Sequence, residues 1–233
     1  MPLKRTYSTS TEIVPAMSGS KYRRVQGKRA KRYPANGTVG KPTPFPIRMV
    51  VRFKYSQTFT ISSALVSTGN YNFACNSIYD PDLTGTGHQP YAHDTYSTIY
   101  NQYTVLKSFI KVTPVKQQNE YLTIGLGIED SVLATTNFDT WSEKPTYKLQ
   151  GCMKNGSTYG NPITMSWDRA KRFPKADTYR DLSAPFGANP AEIEVFNFCA
   201  QAQTSADTVG GNIFLAEIWY TCELYELASL GSS

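Results

Sequence analysis

Between positions 21 and 32 the chain reads Lys21-Tyr-Arg-Arg-Val-Gln-Gly-Lys-Arg-Ala-Lys-Arg32, seven positive charges in twelve residues with no acid among them. Such a block repels itself and stays unfolded, and its chemistry is that of a polyanion receptor. Ammonium and guanidinium groups neutralise phosphates and release their counterions, which makes binding tolerant of base sequence and sensitive to salt. Runs of this kind are also read as nuclear-import signals. Lys21, Arg23, Arg24, Lys28, Arg29, Lys31 and Arg32 are therefore candidates for both roles, and Lys4 and Arg5 add a smaller cluster at the terminus. A solvated helical face would need acids interleaved with the cations, and the block has none. Tyr22 and Tyr33 flank it, placed either to stack on unpaired bases or to act as spacers. Further along, Arg48, Arg52 and Lys54 alternate with apolar residues. They read either as a continuation of the phosphate-binding line onto the body or as ordinary solvated strand charges, and Lys107 and Lys111 admit the same two readings.

Catalytic and metal-binding patterns are scarce. The two histidines, His88 and His93, lie near Asp80, Asp82 and Asp94. A His-x4-His spacing on a Gly/Pro-rich loop lacks fixed presentation, and no third ligand is set by spacing, so no metal is expected. The chain has no GxSxG, no HExxH and no Gly-rich phosphate cradle, and Glu129, Asp130, Asp139 and Glu143 are unremarkable dispersed carboxylates. Neither an enzyme nor a cofactor is expected. Cys75, Cys152, Cys199 and Cys222 form no CxxC pair; they read as buried free thiols of a reducing compartment. The sequons at Asn36 and Asn155 are then chance matches. No apolar run is long enough for a membrane span, and the first thirty residues lack the apolar core of a secretory signal.

Charge is distributed unevenly along the 233 residues. Residues 1–54 hold thirteen Lys/Arg and one acid, Glu12, for a net +12; the other 179 hold eleven basic and seventeen acidic groups, for a net −6. A polyanionic partner is implied for one end only. Residues 1–46 have no apolar periodicity, are rich in Ser, Thr, Pro, Gly and cations, and are expected to be a disordered arm. It ends in the stiff run Lys41-Pro-Thr-Pro-Phe-Pro46. The folded body is expected over 47–228, with 229–233 as a tail.

Period-two alternation marks the elements of that body. Ile47, Met49, Val51, Phe53, Tyr55, Phe59 and Ile61 share one face, broken by Gln57; Arg48, Arg52 and Lys54 share the other, broken by Val50. Further strands are predicted at Tyr71–Cys75, 103–116, 120–129, 146–153 (Tyr147, Leu149 and Met153 aligned), 162–168, 192–204 and 212–227. Long loops over 76–102 and 174–191 separate some of them, with a helical turn in the first and a short helix within 130–144. Trp167 and Trp219 read as packing residues. The loop tyrosines Tyr79, Tyr91, Tyr96, Tyr100 and Tyr103 read as protein contacts or as covers for the sandwich ends. Eight strands with two long crossings and almost no helix predict an all-β fold, an eight-stranded jelly-roll sandwich.

The segment Phe73-Ala-Cys-Asn-Ser-Ile-Tyr-Asp-Pro-Asp-Leu-Thr-Gly-Thr-Gly-His-Gln-Pro90, followed by Tyr100-Asn-Gln-Tyr-Thr-Val105, resembles capsid proteins of circular single-stranded DNA viruses of the circovirus-like group. The order of parts, from basic arm through eight strands to a Tyr/Glu-rich closing strand, is similar too, so the resemblance covers most of the chain. The arm departs from the family's pattern in that fifteen residues without a cation separate Arg5 from Lys21. The resemblance implies a jelly roll assembling as an icosahedral shell of sixty copies, with arms turned onto a packaged single-stranded DNA genome, RNA being possible. It further implies a virion protein that passes through the host nucleus by import receptors and meets a host-cell attachment factor through its outer loops. Sixty arms would carry about +720, enough to neutralise a large share of a small genome. The competing expectation is a single-stranded nucleic-acid-binding protein with a β-barrel body that forms no shell.

Overall fold

The computed structural model describes residues 44–63, 68–116, 121–132, 138–153, 161–174, 181–203 and 210–229. The chain divides into two units, Met1–Pro44 and Phe45–Ser233, and the architecture below is that of the second. Among the described residues there are nine strands: β1 (Arg48–Ser63), β2 (Gly69–Ala74), β3 (Tyr100–Lys116), β4 (Tyr121–Glu129), β5 (Lys148–Met153), β6 (Ile163–Asp168), β7 (Ser183–Pro185), β8 (Val195–Ala202) and β9 (Gly210–Leu227). One sheet runs β1-β9-β3-β6 with β7 also on β3; the other runs β2-β8-β4-β5. Every pairing is antiparallel.

Leaving aside the three-residue β7, the pairs nest: β1 with β9, β2 with β8, β3 with β6, β4 with β5. A long hairpin rolled so that successive pairs fall in alternate sheets gives this order, and β3–β9 and β4–β8 then close each sheet. This is the wiring of a jelly roll, and the all-β sandwich expected from the sequence is the fold observed. The strand count is nine rather than eight. Part of the Pro-rich stretch expected to be plain loop forms β7, which pairs Ala184 with Tyr103 just beyond the end of β6. Pro185 closes this short edge strand, a position where a missing donor is tolerated. Pro114 is tolerated inside β3 for a related reason: β6 reaches only Val112, and the β3–β9 register slips between Pro114 and Lys116.

The long alternations deliver the core. Phe53, Tyr55, Phe59 and Ile61 of β1 and Phe214, Ala216, Ile218, Tyr220, Cys222 and Leu224 of β9 are all buried. Phe59 stands edge-on to Phe73 and Phe198 of the opposite sheet, with centroids 5.4 and 5.5 Å away, and lies 5.6 Å from Phe214 of its own. Tyr220 donates to the Ala74 carbonyl at 2.8 Å, tying β9 to the end of β2. Gln57, the polar break in the inner face of β1, reaches the loop after β2: its amide donates to Asp82 at 2.7 Å, and Tyr55 donates to its side-chain oxygen.

Several sequence-based faces are corrected. Ile47 precedes β1 and is 69% exposed rather than inward. Cys75 is buried but lies just past β2. Tyr100 and Tyr103 belong to β3 and are fully buried, not loop residues. In β5 the aligned apolar phase is the outer one. Leu149 stands opposite Gly125 and is 45% exposed, whereas Cys152 stands opposite Leu122 in the core. Tyr147 is buried, but against the outside of the sheet with Trp141 and Cys199.

Candidate nucleic-acid interface

The outward face of the β1-β9-β3-β6 sheet collects the body cations that the sequence singled out. Pairing sets them in rows. Arg52 faces Thr221, which faces Lys107, which faces Asp168; the next row is Lys54, Trp219, Phe109 and Ser166; the next is Ser56, Glu217, Lys111 and Thr164. Within each row the four positions come from four different strands. The tertiary pairing alone brings Arg52 of β1 and Lys107 of β3 to one face.

Most of the cations have acid partners. Arg48 meets Glu223 at 3.2 Å and lies 5.6 Å from the centroid of Tyr225. Lys54 meets Glu217 at 2.7 Å and lies 5.2 Å from the centroid of Trp219; Lys111 approaches the other oxygen of Glu217 at 3.3 Å. Lys107 meets Asp168 at 3.0 Å. Arg52 has no ion-pair partner among the described residues. With Lys171, from the four-residue helix Arg169–Arg172 that follows β6, six cations stand against three carboxylates. Exposed pairs of this kind contribute about 0–1 kcal/mol each. Their cations can therefore exchange a carboxylate for a phosphate at little cost.

The carboxylates respond to these neighbours. The Lys54 ammonium hydrogen-bonded to Glu217 holds that carboxyl below its ordinary range, against partial burial and with help from Lys111. Lys107 does the same for Asp168, whose second oxygen accepts the Ala170 N–H at 3.0 Å.

Lys4, Arg5, Lys21, Arg23, Arg24, Lys28, Arg29, Lys31 and Arg32 lie outside the described residues. Of the sequence-based interface residues, Arg48, Arg52 and Lys54 share the sheet face, joined by Lys107 and Lys111. Sequence reasoning missed three neighbours: Phe109, Trp219 and Lys171. Trp219 is not a core residue as expected but points outward, its ring 5.6 Å from that of Phe109. The signal was present, because every even position from Phe214 to Leu224 is buried and 219 falls in the opposite phase.

Residues elsewhere with chemical potential are committed to the framework. His88 packs 4.8 Å from Tyr55, and His93 is buried beside Phe186 with its Nδ1 3.1 Å from Asp94. Among the described residues no three His, Cys, Asp or Glu side chains converge. All four cysteines are buried and outside any disulfide, and burial pushes the Cys75, Cys199 and Cys222 thiols up. Within the segment 73–105, Asn76 donates to the Glu192 carbonyl at 2.7 Å and accepts from the Glu194 N–H at 2.9 Å. Ser77 donates to Asn189 at 2.6 Å. These bonds pin the crossing before β8 against the loop after β2. Of the expected contact tyrosines, Tyr91 and Tyr79 are exposed, whereas Tyr96 packs on Phe53.

No family model matches the sequence, and no curated protein matches it. Among the solved structures similar to the chain is that of Desmodium yellow mottle tymovirus, at 12% identity over 86% of this chain and 100% of that one, TM-score 0.47. Another is the BFDV capsid protein in its 60-mer crystal structure, at 8% identity over 81% and 100%, TM-score 0.48. A third is tobacco necrosis virus, at 15% identity over 78% and 97%, TM-score 0.48.

Proposed function

We propose that the chain is a viral coat subunit that assembles with copies of itself into a closed shell and packages a single-stranded genome through its basic arm. The observation that carries this reading is the segregation of charge: thirteen Lys/Arg and one acid before residue 55, and a surplus of six acids after it. An arm of that composition cannot bury enough apolar surface to fold by itself, and its cations suit a flexible polyanion. The body is a jelly roll, an architecture used for capsid building blocks. Its net negative charge keeps many copies from presenting an all-cationic exterior. The sequence resemblance over 73–105 points the same way.

On this reading the subunit is not an enzyme. Its partners are further copies of the chain, sixty in the arrangement the resemblance implies, a single-stranded DNA genome, nuclear import receptors that read the 21–32 block, and an attachment factor on the host cell. It resides in the virion and passes through the host nucleus. Sedimentation and negative-stain imaging of the purified chain test the central point. Closed particles near 1.6 MDa, sixty times the 26.0 kDa chain, are expected. A chain that stays monomeric at physiological salt while retaining nucleic acid would replace the shell with the simple binding-protein reading.

A further inference from the structure

We propose that a depression on the outward face of the β1-β9-β3-β6 sheet seats one unpaired nucleobase of a single strand, with the flanking phosphates on the cations at its rim. The proposal rests on the reading that the chain packages a single-stranded nucleic acid. It adds to the phosphate binding proposed for the arm a site on the body that recognises the base.

The depression has a volume of about 300 Å³ and lies between two rows of the sheet. Arg52 and Lys107 belong to one row, Trp219 and Phe109 to the next, and Lys171 reaches it from the short helix after β6. A volume of about 300 Å³ is at the lower end for small-ligand sites, suited to one planar heterocycle with its sugar. A duplex, whose bases are stacked inside it, could not use such a seat.

The chemistry of the walls narrows the ligand. Trp219 and Phe109 lie in the outward phase of their strands, beside Glu217 and Thr221 of β9 and Lys107 and Lys111 of β3, so the core does not explain them. Phe109 is 37% exposed, and the two rings stand 5.6 Å apart with their planes 42° apart. An aromatic pair on an outward sheet face is the kind of platform on which bases of a single strand stack. Arg52, with no carboxylate partner among the described residues, lines the same depression, and a guanidinium stacks on bases as well as pairing with phosphate. Three cations face a single carboxylate there, Asp168, which Lys107 already engages. An inorganic anion would have no use for the two rings, and an apolar ligand none for the three cations. A ligand both anionic and aromatic uses all five side chains.

The test uses the full chain, labelled oligothymidylate, and an abasic oligomer of the same length. Anisotropy reports binding of either; tryptophan emission reports the depression, because the outward indole of Trp219 and the buried Trp167 both line it, whereas Trp141 belongs to the cluster on the other sheet. Oligothymidylate is expected to quench the emission, and the abasic oligomer to bind without quenching it. Trp219→Phe should lose most of the quench while keeping the anisotropy change. Arg52→Ala combined with Phe109→Ala should weaken oligothymidylate about tenfold and the abasic oligomer, which keeps only the phosphate contacts, much less. Binding of oligothymidylate with unchanged emission, a quench undiminished in Trp219→Phe, or equal affinity for the two oligomers overturns the seat and leaves the packaging reading standing. No anisotropy change with either oligomer overturns both.

Discussion

The indole of Trp141 occupies the space above Gly125 so closely that a Cβ at that glycine would stand 2.1 Å from Cζ3. Tyr147 covers Gly127 in the same way, with a Cβ there meeting its ring at 2.4 Å. With Phe138 and Cys199 these side chains form a second apolar cluster on the outside of the β2-β8-β4-β5 sheet. The alternate glycines of β4 thus face an aromatic cover rather than water. Gly125→Ala is expected to destabilise the protein by about 1–3 kcal/mol through overpacking. Thermal melting checks this, and the loss should shrink in a Trp141→Leu background, where the clash is relieved. An unchanged melting temperature for Gly125→Ala would count against the cover.

Asp82 is fully buried and accepts from Gln57 at 2.7 Å, from the Tyr71 hydroxyl at 2.8 Å, and from the Thr84 N–H and hydroxyl at 3.0 and 2.8 Å. Removing that carboxylate strands several donors at once. Asp82→Ala should therefore cost about 3 kcal/mol or more, and Asp82→Asn, which keeps one strong acceptor, less. Chemical denaturation gives both values; equal stability of Asp82→Ala and the parent chain would refute the account.

Acid should weaken the ion-pair lattice on the other sheet. The folded value of Glu217 lies below its ordinary 4.5, chiefly because of Lys54. A depressed carboxyl contributes stability that is present above the unfolded value and lost as pH falls through the folded one. The gap in melting temperature between the parent chain and Glu217→Gln should thus be widest near neutrality and close as the pH is taken below about 4.5. A gap that widens on acidification would reverse the assignment.

The arm makes a separate, quantitative claim. Replacing the seven cations of the 21–32 block with Gln should reduce the slope of log affinity against log salt for a single strand by about 5. Titrations at several salt concentrations measure this, and an unaltered slope would move phosphate binding onto the body. Residues 1–35 fused to a fluorescent reporter should concentrate it in the nucleus; the same fusion with the seven substitutions should not.

The strands and most of their faces were legible without tertiary information because period-two alternation is local. β1 and β9 could be read residue by residue, down to the polar break at Gln57. The charge division at residue 54 is likewise a property of the sequence alone. Alternation, however, states that a side chain avoids water, not what it avoids water against. Tyr147 and Leu149 align in the sequence as one apolar face, yet the β4–β5 register turns that phase outward, where one finds the Trp141 cover and the other does not. Trp219 shows the converse: its phase said outward while its size said core, and the phase was the better guide. Which strands pair is a long-range matter. Arg48 meets Glu223 across 175 positions, and Arg52 joins Lys107 only because β9 lies between β1 and β3. The sequence by itself determined a cationic arm and a two-faced β body. The tertiary pairing decided which cations share a face, and set two aromatic rings beside them, because hydrogen-bonded register between distant strands has no local signature.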